Sequence, residues 1–385
     1  MITKNINFKD FLFKKSKSKI SILLKNLLKE ENEILNSLKS TYPNSYSRKL
    51  IQKFKNFKEI TLIGMGGSLL GSKSIYNFFK NKIKKNFYFI DTFQFDNSRL
   101  KNKKLNLIIS KSGNTLETIS NSNFLINKND KNIFITESKD SYLMKFANQL
   151  KSEIIHHNNY IGGRYSVLSE VGMLPAELMG LKVNKFRKFN SLIKNKKYIN
   201  CLVQNVSNIL YLIKKKKFNS VILNYDDNSS DLFYWYQQLV AESLGKKGQG
   251  IFPIISRMPK DNHSLMQLYL DGARKNFYTF FFVKDDHHKK INNNKLLKTH
   301  FYLKNKTLDK VKQSQFEATQ NVFKTMNIPF RSFFVKKKNE ETLGELFVFF
   351  ILETILLGKA LNINPYDQPA VELIKKETKK FLISI

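Results

Sequence analysis

Short apolar segments that alternate with helical patterns set the tightest limit on what this chain can fold into. The strand candidates of the first half are residues 60–63, 87–90, 105–109 and 132–135, each followed by turn or helix signals. After a polar helical region near residues 185–215 the pattern starts again, at 220–223, 251–255, 278–283 and 330–335. This alternation is typical of parallel sheets covered by helices. The sequence therefore predicts an α/β fold with two αβα units in tandem and mostly parallel sheets.

Both ends of the chain are predicted to be helical. Within residues 1–55 apolar side chains recur at helical spacing, and the tail from Pro365 ends in a Lys-rich amphipathic pattern. Residues 346–357 are the most apolar stretch, but they are short and contain Glu353, which indicates a buried core helix rather than a membrane span. We expect four parts: an N-terminal helical segment (1–55), two domains (56–195 and 196–362) and a C-terminal helical tail (363–385).

The net charge of +35 comes almost entirely from lysine. The chain has 59 lysines and 7 arginines, and the lysines are spread along its whole length. Nucleic-acid sites tend to use arginine forks on bases and phosphates, so scattered lysine indicates solvated surfaces and the codon bias of an AT-rich genome. We expect no nucleic-acid function beyond weak, salt-sensitive association, although the positive field would attract an anionic substrate.

Cysteine usage bears on the compartment. The single cysteine, Cys201, excludes an intrachain disulfide and fits a reducing environment. Residues 1–20 scatter Lys and Asp among their apolar side chains and contain no signal-peptide core. The expectation is a cytoplasmic protein that does not use a membrane.

A hydroxyl-rich turn follows the strand candidate at 105–109. Ser110, Ser112 and Thr115 crowd a turn that should open a helix, and free backbone N–H groups at a helix N-terminus attract anions, most often phosphate. Ordinary helix capping explains one or two of these hydroxyls but not all three. The turn is thus a candidate phosphate site, with capping as the alternative.

Two glycine-rich turns add further candidates. Gly66, Gly67 and Ser68 follow the first strand candidate, where the backbone could approach a ligand closely or only turn tightly. Gly162 and Gly163 precede Arg164, one of only seven arginines, and would let the loop bend and aim its guanidinium inward. A cation so placed suits an anion that develops during a reaction, although a solvated surface arginine is the simpler alternative.

Two acid–base candidates lie in the second unit. Gln238 and Glu242 are four residues apart, so they share one helix face, and Glu242 lies among apolar neighbours. Partial burial favours the neutral carboxyl and suits a general base, whereas most single glutamates are simply exposed. His263 stands in a polar cluster before an apolar helical stretch, where it could face a substrate or be a bystander.

Paired histidines could suggest a metal, but their spacing argues against it. His156 and His157 are adjacent, as are His287 and His288 after two aspartates, and neighbouring residues do not share a helix face. We expect solvated loops and no metal at both places. Gln368 and Lys375 lie two helical turns apart near the C-terminus, where a solvated lysine is the simpler interpretation.

Taken in order, these motifs resemble the phosphoglucose isomerase family from about residue 60 to 376. The segments Gly-Gly-Arg-Tyr-Ser and Asp-Gln-Pro-Ala-Val-Glu are highly specific to that family. The resemblance implies two sugar-isomerase domains, each an αβα sandwich, in a homodimer. It implies interconversion of glucose 6-phosphate and fructose 6-phosphate, in glycolysis and gluconeogenesis, without a metal or an organic cofactor. Ser169 and Glu170, after the arginine segment, are less usual and could alter local packing.

The resemblance also implies a role for each matching residue. Glu242 would be the base that moves a proton between C2 and C1, Arg164 would stabilise the enediolate, and Lys375 would assist ring opening. His263 would also open the ring, reaching in from the partner subunit. The phosphate-binding and substrate-positioning matches are Gly67, Ser68, Ser110, Lys111, Ser112, Thr115, Gln238 and Gln368.

Two rival functions remain open. A bifunctional phosphoglucose/phosphomannose isomerase is the nearer one, but that subgroup resembles this chain less, because it replaces the glutamine at the position of Gln238 with threonine. A sugar-phosphate sensor without turnover would keep the hydroxyl turn and would need neither Glu242 nor Arg164.

Overall fold

The computed structural model describes residues 2–94, 104–127, 129–284 and 289–384. Two five-stranded sheets form its framework. In the first sheet all pairs are parallel, in the order β3-β2-β4-β5-β6. Its strands are β2 (Glu59–Gly64), β3 (Asn86–Ile90), β4 (Leu105–Ile109), β5 (Lys131–Thr136) and β6 (Glu153–His156).

The second sheet has the order β1-β10-β9-β7-β8, and only the β1–β10 pair is antiparallel. Its strands are β1 (Ile6–Lys9), β7 (Asn219–Asn224), β8 (Phe252–Arg257), β9 (Asn276–Val283) and β10 (Phe330–Val335). The two sheets confirm the predicted α/β class with mostly parallel strands.

Fourteen α-helices lie within the described ranges. Those of the first half are α1 (Ser18–Leu27), α2 (Glu33–Ser37), α3 (Arg48–Phe54), α4 (Gly67–Phe78), α5 (Leu116–Leu125), α6 (Tyr142–Gln149), α7 (Glu170–Leu178) and α8 (Phe189–Lys194). Those of the second half are α9 (Lys196–Lys214), α10 (Ser230–Leu244), α11 (Met266–Asp271), α12 (Leu308–Thr325), α13 (Glu340–Ala360) and α14 (Val371–Ser384).

Each sheet is buried on both faces, as the alternation of side chains along its strands requires. On the first sheet Ile63 and Ile108 face α5 and α6, whereas Leu62 and Leu107 face the main core. On the second sheet the outer face packs on α11 and α12, and the inner face joins the same main core. The molecule is therefore two αβα layers that share one continuous apolar centre, into which α13 is sunk.

A buried ion pair joins the second sheet to α13. Arg331 of β10 and Glu353 of α13 are fully buried and hydrogen-bonded to each other, and Tyr236 of α10 donates to the same carboxylate at 2.9 Å. Glu353 therefore lies in a core helix, as predicted, with its charge paired. Breaking one partner of such a pair leaves an uncompensated buried charge, which is strongly destabilising.

Two strands were not predicted. β1 lies inside the segment predicted to be helical, because its four residues are too few to show a period. β6 is a short edge strand that begins with the charged Glu153. The other strand predictions agree with the structure to within two residues at each end.

Two further observations concern function classes raised by the sequence. None of the helices in the described part of the chain is both long and apolar enough to cross a bilayer. Within the same residues no three His, Cys, Asp or Glu side chains cluster as metal ligands would. Residues 289–298, which follow the expected histidine loop, are exposed or half-buried, whereas His287, His288 and the two aspartates before them lie outside the described residues.

Candidate functional site

The carboxylate of Glu242 lies where helices from the two layers meet. α10 carries it and packs along α4, which begins directly after the first glycine turn. Gln238, one helical turn earlier, donates from Nε2 to Glu242 Oε1 at 2.8 Å. The shared helix face predicted from the four-residue spacing is confirmed, and so is partial burial: the Glu242 side chain is 31% exposed.

The first glycine turn is shaped by these neighbours. Gly66 has a φ of +52°, a conformation that favours glycine, and a Cβ there would lie 2.7 Å from Gln238 Nε2. A Cβ on Gly67 would lie 2.2 Å from the carbonyl carbon of Gly163. The two glycine turns predicted separately are therefore packed backbone to backbone, and each adjoins a residue that binds Glu242, Gln238 at the first turn and Arg164 at the second.

Arg164 is the third side chain of this group. It is 2% exposed and donates from Nη1 to Glu242 Oε2 at 3.1 Å and to Gln368 Oε1 at 2.7 Å. Its other nitrogens bind Ser243 and the carbonyls of Pro365 and Asp367. The inward guanidinium predicted from the glycines is thus observed, and the surface alternative is wrong.

The hydroxyl turn after β4 is held in a fixed shape. Ser110 Oγ and Thr115 Oγ1 lie 2.8 Å apart and share a hydrogen bond, so the two hydroxyls lie side by side. Thr115 is the N-cap residue of α5, but its hydroxyl binds Ser110 and makes no capping hydrogen bond to the helix. Gly113 has a φ of +66°, and its carbonyl accepts from Leu143 N at 3.0 Å, which ties the turn to α6.

Two other members of this turn face solvent more. Ser112 is exposed, and its Oγ accepts from the backbone N–H of Asn114 at 3.2 Å. Lys111 directs its ammonium toward the buried carboxylate of Glu137 at 3.6 Å, and its carbonyl accepts from the Glu137 N–H at 3.1 Å. Ser68 is half-buried in the first turn of α4.

The hydroxyl turn and Glu242 occupy the same edge of the first sheet. β2 and β4 are parallel neighbours, with Gly64 opposite Ile109, so the turns that follow them emerge side by side. Neighbouring strands are about 4.8 Å apart. The first glycine turn adjoins Gln238, which binds Glu242, so this turn lies between the carboxylate and the hydroxyl turn.

Segment 363–371 forms the far wall of the site. Lys246 Nζ donates to Asp367 Oδ1 at 2.7 Å and to the carbonyl of Asn364, which fastens the segment to the end of α10. This hydrogen bond lowers the pKa of Asp367, so its carboxylate stays charged. Glu242 borders two cavities, one of about 840 Å³ beside this segment and one of about 500 Å³ beside Lys73 of α4.

Two candidates lie away from this group. Lys375 is exposed on α14 and pairs with Glu372 at 2.6 Å. His263 is exposed beyond the end of β8, where Arg257 pairs with Asp227 just before α10 begins. From Ser230 to Glu242 α10 is about 18 Å long at 1.5 Å per residue, so His263 and Glu242 of one chain lie at opposite ends of α10.

The structure also corrects one expectation about histidine. His157, predicted to lie in a solvated loop, is 1% exposed and has Nδ1 3.6 Å from the buried carboxylate of Glu170. Burial lowers the pKa of His157, so the ring is neutral near pH 7 and this contact is not an ion pair. Glu170 also accepts from Tyr42 and from the backbone of Asn158, which gives this unusual residue its packing role.

Sequence reasoning missed Ser243 and Lys246 as members of the site. Ser243 is fully buried against Arg164 and Tyr165, and Lys246 lies two residues beyond the end of α10. For Lys246 the available signal was the four-residue spacing of polar residues at 238, 242 and 246, although the helix ends before it, and Ser243 lies outside that spacing. The contacts with residues 364–367 depend on the fold and have no local signal.

Comparison with known proteins bears on this arrangement. The sequence profile described as phosphoglucose isomerase matches residues 11–384. The chain belongs to the phosphoglucose isomerase family. A glucose-6-phosphate isomerase of Methanocaldococcus jannaschii is 32% identical over 85% of both chains. Membership confirms the predicted class of enzyme, an aldose–ketose isomerase of sugar phosphates.

Solved structures share the fold of this phosphoglucose isomerase family member. A hypothetical protein from Thermus thermophilus superposes with a TM-score of 0.82 at 23% identity, over 95% of this chain and 94% of the other. A glucose-6-phosphate isomerase from Chlamydia trachomatis gives 0.72 at 17% identity, over 87% and 71%. These likenesses support the predicted pair of αβα layers.

Proposed function

We propose that the chain interconverts glucose 6-phosphate and fructose 6-phosphate through an enediolate, with Glu242 as the base. The observation that carries this proposal is the contact of Glu242 with both Arg164 and Gln238, at the sheet edge that also bears the hydroxyl turn. One carboxylate, one cation and one anion cradle are what aldose–ketose isomerisation requires.

The phosphate would be held by the hydroxyl turn. The Ser110 and Thr115 hydroxyls lie side by side, and the turn that contains Lys111 and Ser112 emerges beside the turn that contains Gly67 and Ser68. Because the phosphate is remote from the reacting carbons, its binding energy can position them without taking part in the chemistry.

The proton transfer would take place at the end of the site opposite the hydroxyl turn. In the open-chain sugar, Glu242 removes the C2 proton as the C1 carbonyl oxygen becomes negative, and the same carboxyl returns the proton to C1 while the C2 oxygen becomes the carbonyl. The hydroxyl hydrogen passes from O2 to O1. Arg164 Nη1, 3.1 Å from Glu242 Oε2, is the cation close enough to stabilise the intermediate charge.

Gln238 is the proposed specificity residue. Its Nε2 is used by Glu242, and its Oε1 is buried without a hydrogen-bond partner among the residues that the structure describes. A buried acceptor left unpaired is costly, so a sugar hydroxyl would supply the missing donor. Glutamine at this position favours a glucose-specific enzyme over the bifunctional phosphoglucose/phosphomannose alternative.

The proposed working unit is a homodimer in which His263 acts in the partner's site. The 18 Å scale of α10 separates His263 from Glu242 of its own chain. Exposed apolar side chains, which a second copy could cover, occur at Leu297, Phe301 and Tyr302 and along α14 at Leu373 and Ile374. In such a dimer the partner subunit would also lie close to Lys375 and to Gln368 before it. In this proposal His263 and Lys375 open the sugar ring, and the protein works in the cytoplasm.

The test is turnover by the purified protein and by Glu242→Gln. The wild type should convert fructose 6-phosphate to glucose 6-phosphate in a coupled assay and should act poorly on mannose 6-phosphate. Glu242→Gln keeps the shape and loses the base, so kcat should fall about 10³-fold while sugar phosphate still binds. Glu377→Gln, an exposed glutamate of α14, is the matched control. Binding without turnover by the wild type would support a sensor instead, and an active Glu242→Gln would refute the base.

A further inference from the structure

Arg164 is held by a closed ring of buried hydrogen bonds, which the sequence motifs did not predict. Its Nε donates to Ser243 Oγ at 2.8 Å, and its Nη2 donates to the carbonyl of Pro365 at 2.8 Å. Tyr165 Oη lies 2.8 Å from Ser243 Oγ and donates to the same carbonyl at 2.9 Å. The ring therefore runs from Arg164 through Ser243 and Tyr165 to Pro365, and back to Arg164.

The direction of each hydrogen bond in the ring is fixed by chemistry. A carbonyl can only accept, so the Tyr165 hydrogen points at Pro365, and Ser243 must donate its own hydrogen to Tyr165 Oη. Burial raises the pKa of Tyr165, so the phenol keeps this hydrogen at neutral pH. Ser243 then accepts from Arg164 with a free lone pair. Every member has a partner, and Arg164, Tyr165 and Ser243 are at most 2% exposed.

The two edges of the Arg164 guanidinium have different partners. Nε and Nη2 are held by buried groups of the ring and by the Asp367 carbonyl, whereas both hydrogens of Nη1 point outward to Glu242 and Gln368. Because a guanidinium is planar, fixing one edge fixes the other. A loosely held arginine would lose the alignment with Glu242, and errors of about 1 Å in such alignment are costly to rate.

We propose that Ser243 and Tyr165 are positioning residues, which act by holding Arg164 so that Nη1 faces Glu242 and the developing oxyanion. The proposal rests on the isomerase function proposed above. It predicts that removal of either hydroxyl slows the chemical step more than it weakens substrate binding, because neither residue touches the hydroxyl turn that holds the phosphate.

The experiment compares kcat and KM for Ser243→Ala and Tyr165→Phe in the full-length protein. Each should lower kcat about tenfold and change KM less than about threefold, since the interaction lost is one made in the transition state. Two matched controls remove the same atoms from buried sites elsewhere. Ser207→Ala on α9 and Tyr225→Phe, which bonds Thr319, should leave both constants unchanged.

A second arm separates positioning from a general loss of packing. In an Arg164→Lys background the Nε donor is absent, so Ser243→Ala should lower kcat less than about twofold further. An equal tenfold loss in that background, or unchanged kcat in both single variants, would overturn the proposal. If Ser243→Ala does not fold, Tyr165→Phe carries the same cycle, because it deletes only one oxygen. An inactive wild type would instead refute the function itself, so the two failures are distinguishable.

Discussion

At the scale of single residues, the site depends on a carboxylate held between an amide and a guanidinium. Gln238 and Arg164 each bind a different oxygen of Glu242, so the carboxylate plane is fixed from two sides. A side chain fixed in this way loses little conformational freedom when substrate arrives, and preorganisation of that kind is a main source of rate enhancement.

Gln238→Ala tests one of the two supports. The variant should lower kcat about tenfold, because Glu242 would keep only its arginine contact and the substrate hydroxyl would lose its acceptor. Gln237→Ala is the matched control, since that neighbour binds the Pro253 carbonyl and not the carboxylate. Steady-state rates with fructose 6-phosphate measure both. Equal losses in the two variants would contradict a specific role for Gln238.

The hydroxyl turn should govern binding more than turnover. Ser110→Ala and Thr115→Val each remove a hydroxyl that would bind an anion, so KM should rise about tenfold with a smaller change in kcat. Ser120→Ala, exposed on the same helix, should have no effect. Initial-rate kinetics over a range of substrate concentrations test this. A loss confined to kcat would argue against phosphate binding at this turn.

His157 should make the stability of the fold depend on pH. Burial lowers its pKa, so the unfolded chain binds more protons below about pH 6.5 and the free energy of unfolding falls as the pH drops from 7 to 5. His157→Gln should flatten this dependence, whereas His156→Gln, at the exposed neighbour, should keep the wild-type slope. Urea unfolding at several pH values measures it, and identical slopes in all three proteins would contradict burial as the cause.

At the scale of elements, the site is made by helices that approach one another at glycine. α4 and the turn around Arg164 touch because Gly67 has no side chain, and a Cβ there would lie 2.2 Å from a backbone carbon of Gly163. The contact is what lets an arginine of one loop reach a glutamate of α10. Backbone cannot give way as a flexible side chain does.

Gly67→Ala and Gly162→Ala form a matched pair that tests this contact. The first should lower the free energy of unfolding by about 1–3 kcal/mol and reduce kcat, because the Arg164 turn must move away from α4. The second should change little, since a Cβ on Gly162 meets nothing closer than 3.9 Å. Thermal unfolding and activity together measure both. Equal stability of the two variants would show that the approach is not tight.

Sequence patterns predicted the helices and strands better than the contacts between them. The strand pattern predicted both sheets, and the four-residue spacing predicted that Gln238 and Glu242 share a face, because these signals are local. The short strand β1 gave too few residues for a period, and the buried contact of His157 with Glu170, which also binds Tyr42, depends on the fold and has no local signal. The boundaries at 56–195 and 196–362 remain a prediction.

At the scale of the whole molecule, the two αβα layers contribute different parts of one site. The first supplies the hydroxyl turn, the glycine turn and Arg164, and the second supplies Gln238 and Glu242. Neither layer contains both the proposed phosphate cradle and the proposed base.

The proposed dimer can be tested by mixing two inactive proteins. If His263 acts across the interface, a hybrid of Glu242→Gln and His263→Ala subunits has one intact site and one doubly altered site. Random exchange should then restore about a quarter of wild-type activity, because half of the dimers are hybrids with one working site of two. No recovery after verified subunit exchange would contradict the shared site.

In the proposed reaction Glu242 moves a carbon-bound hydrogen of a sugar phosphate. Incubation with glucose 6-phosphate in deuterium oxide, followed by proton NMR of the C1 and C2 positions, tests it most directly. We expect deuterium at these carbons with the wild type and a loss of about 10³-fold in the exchange rate with Glu242→Gln. Exchange by the variant at the wild-type rate, or the absence of exchange and of product with the wild type, would contradict it.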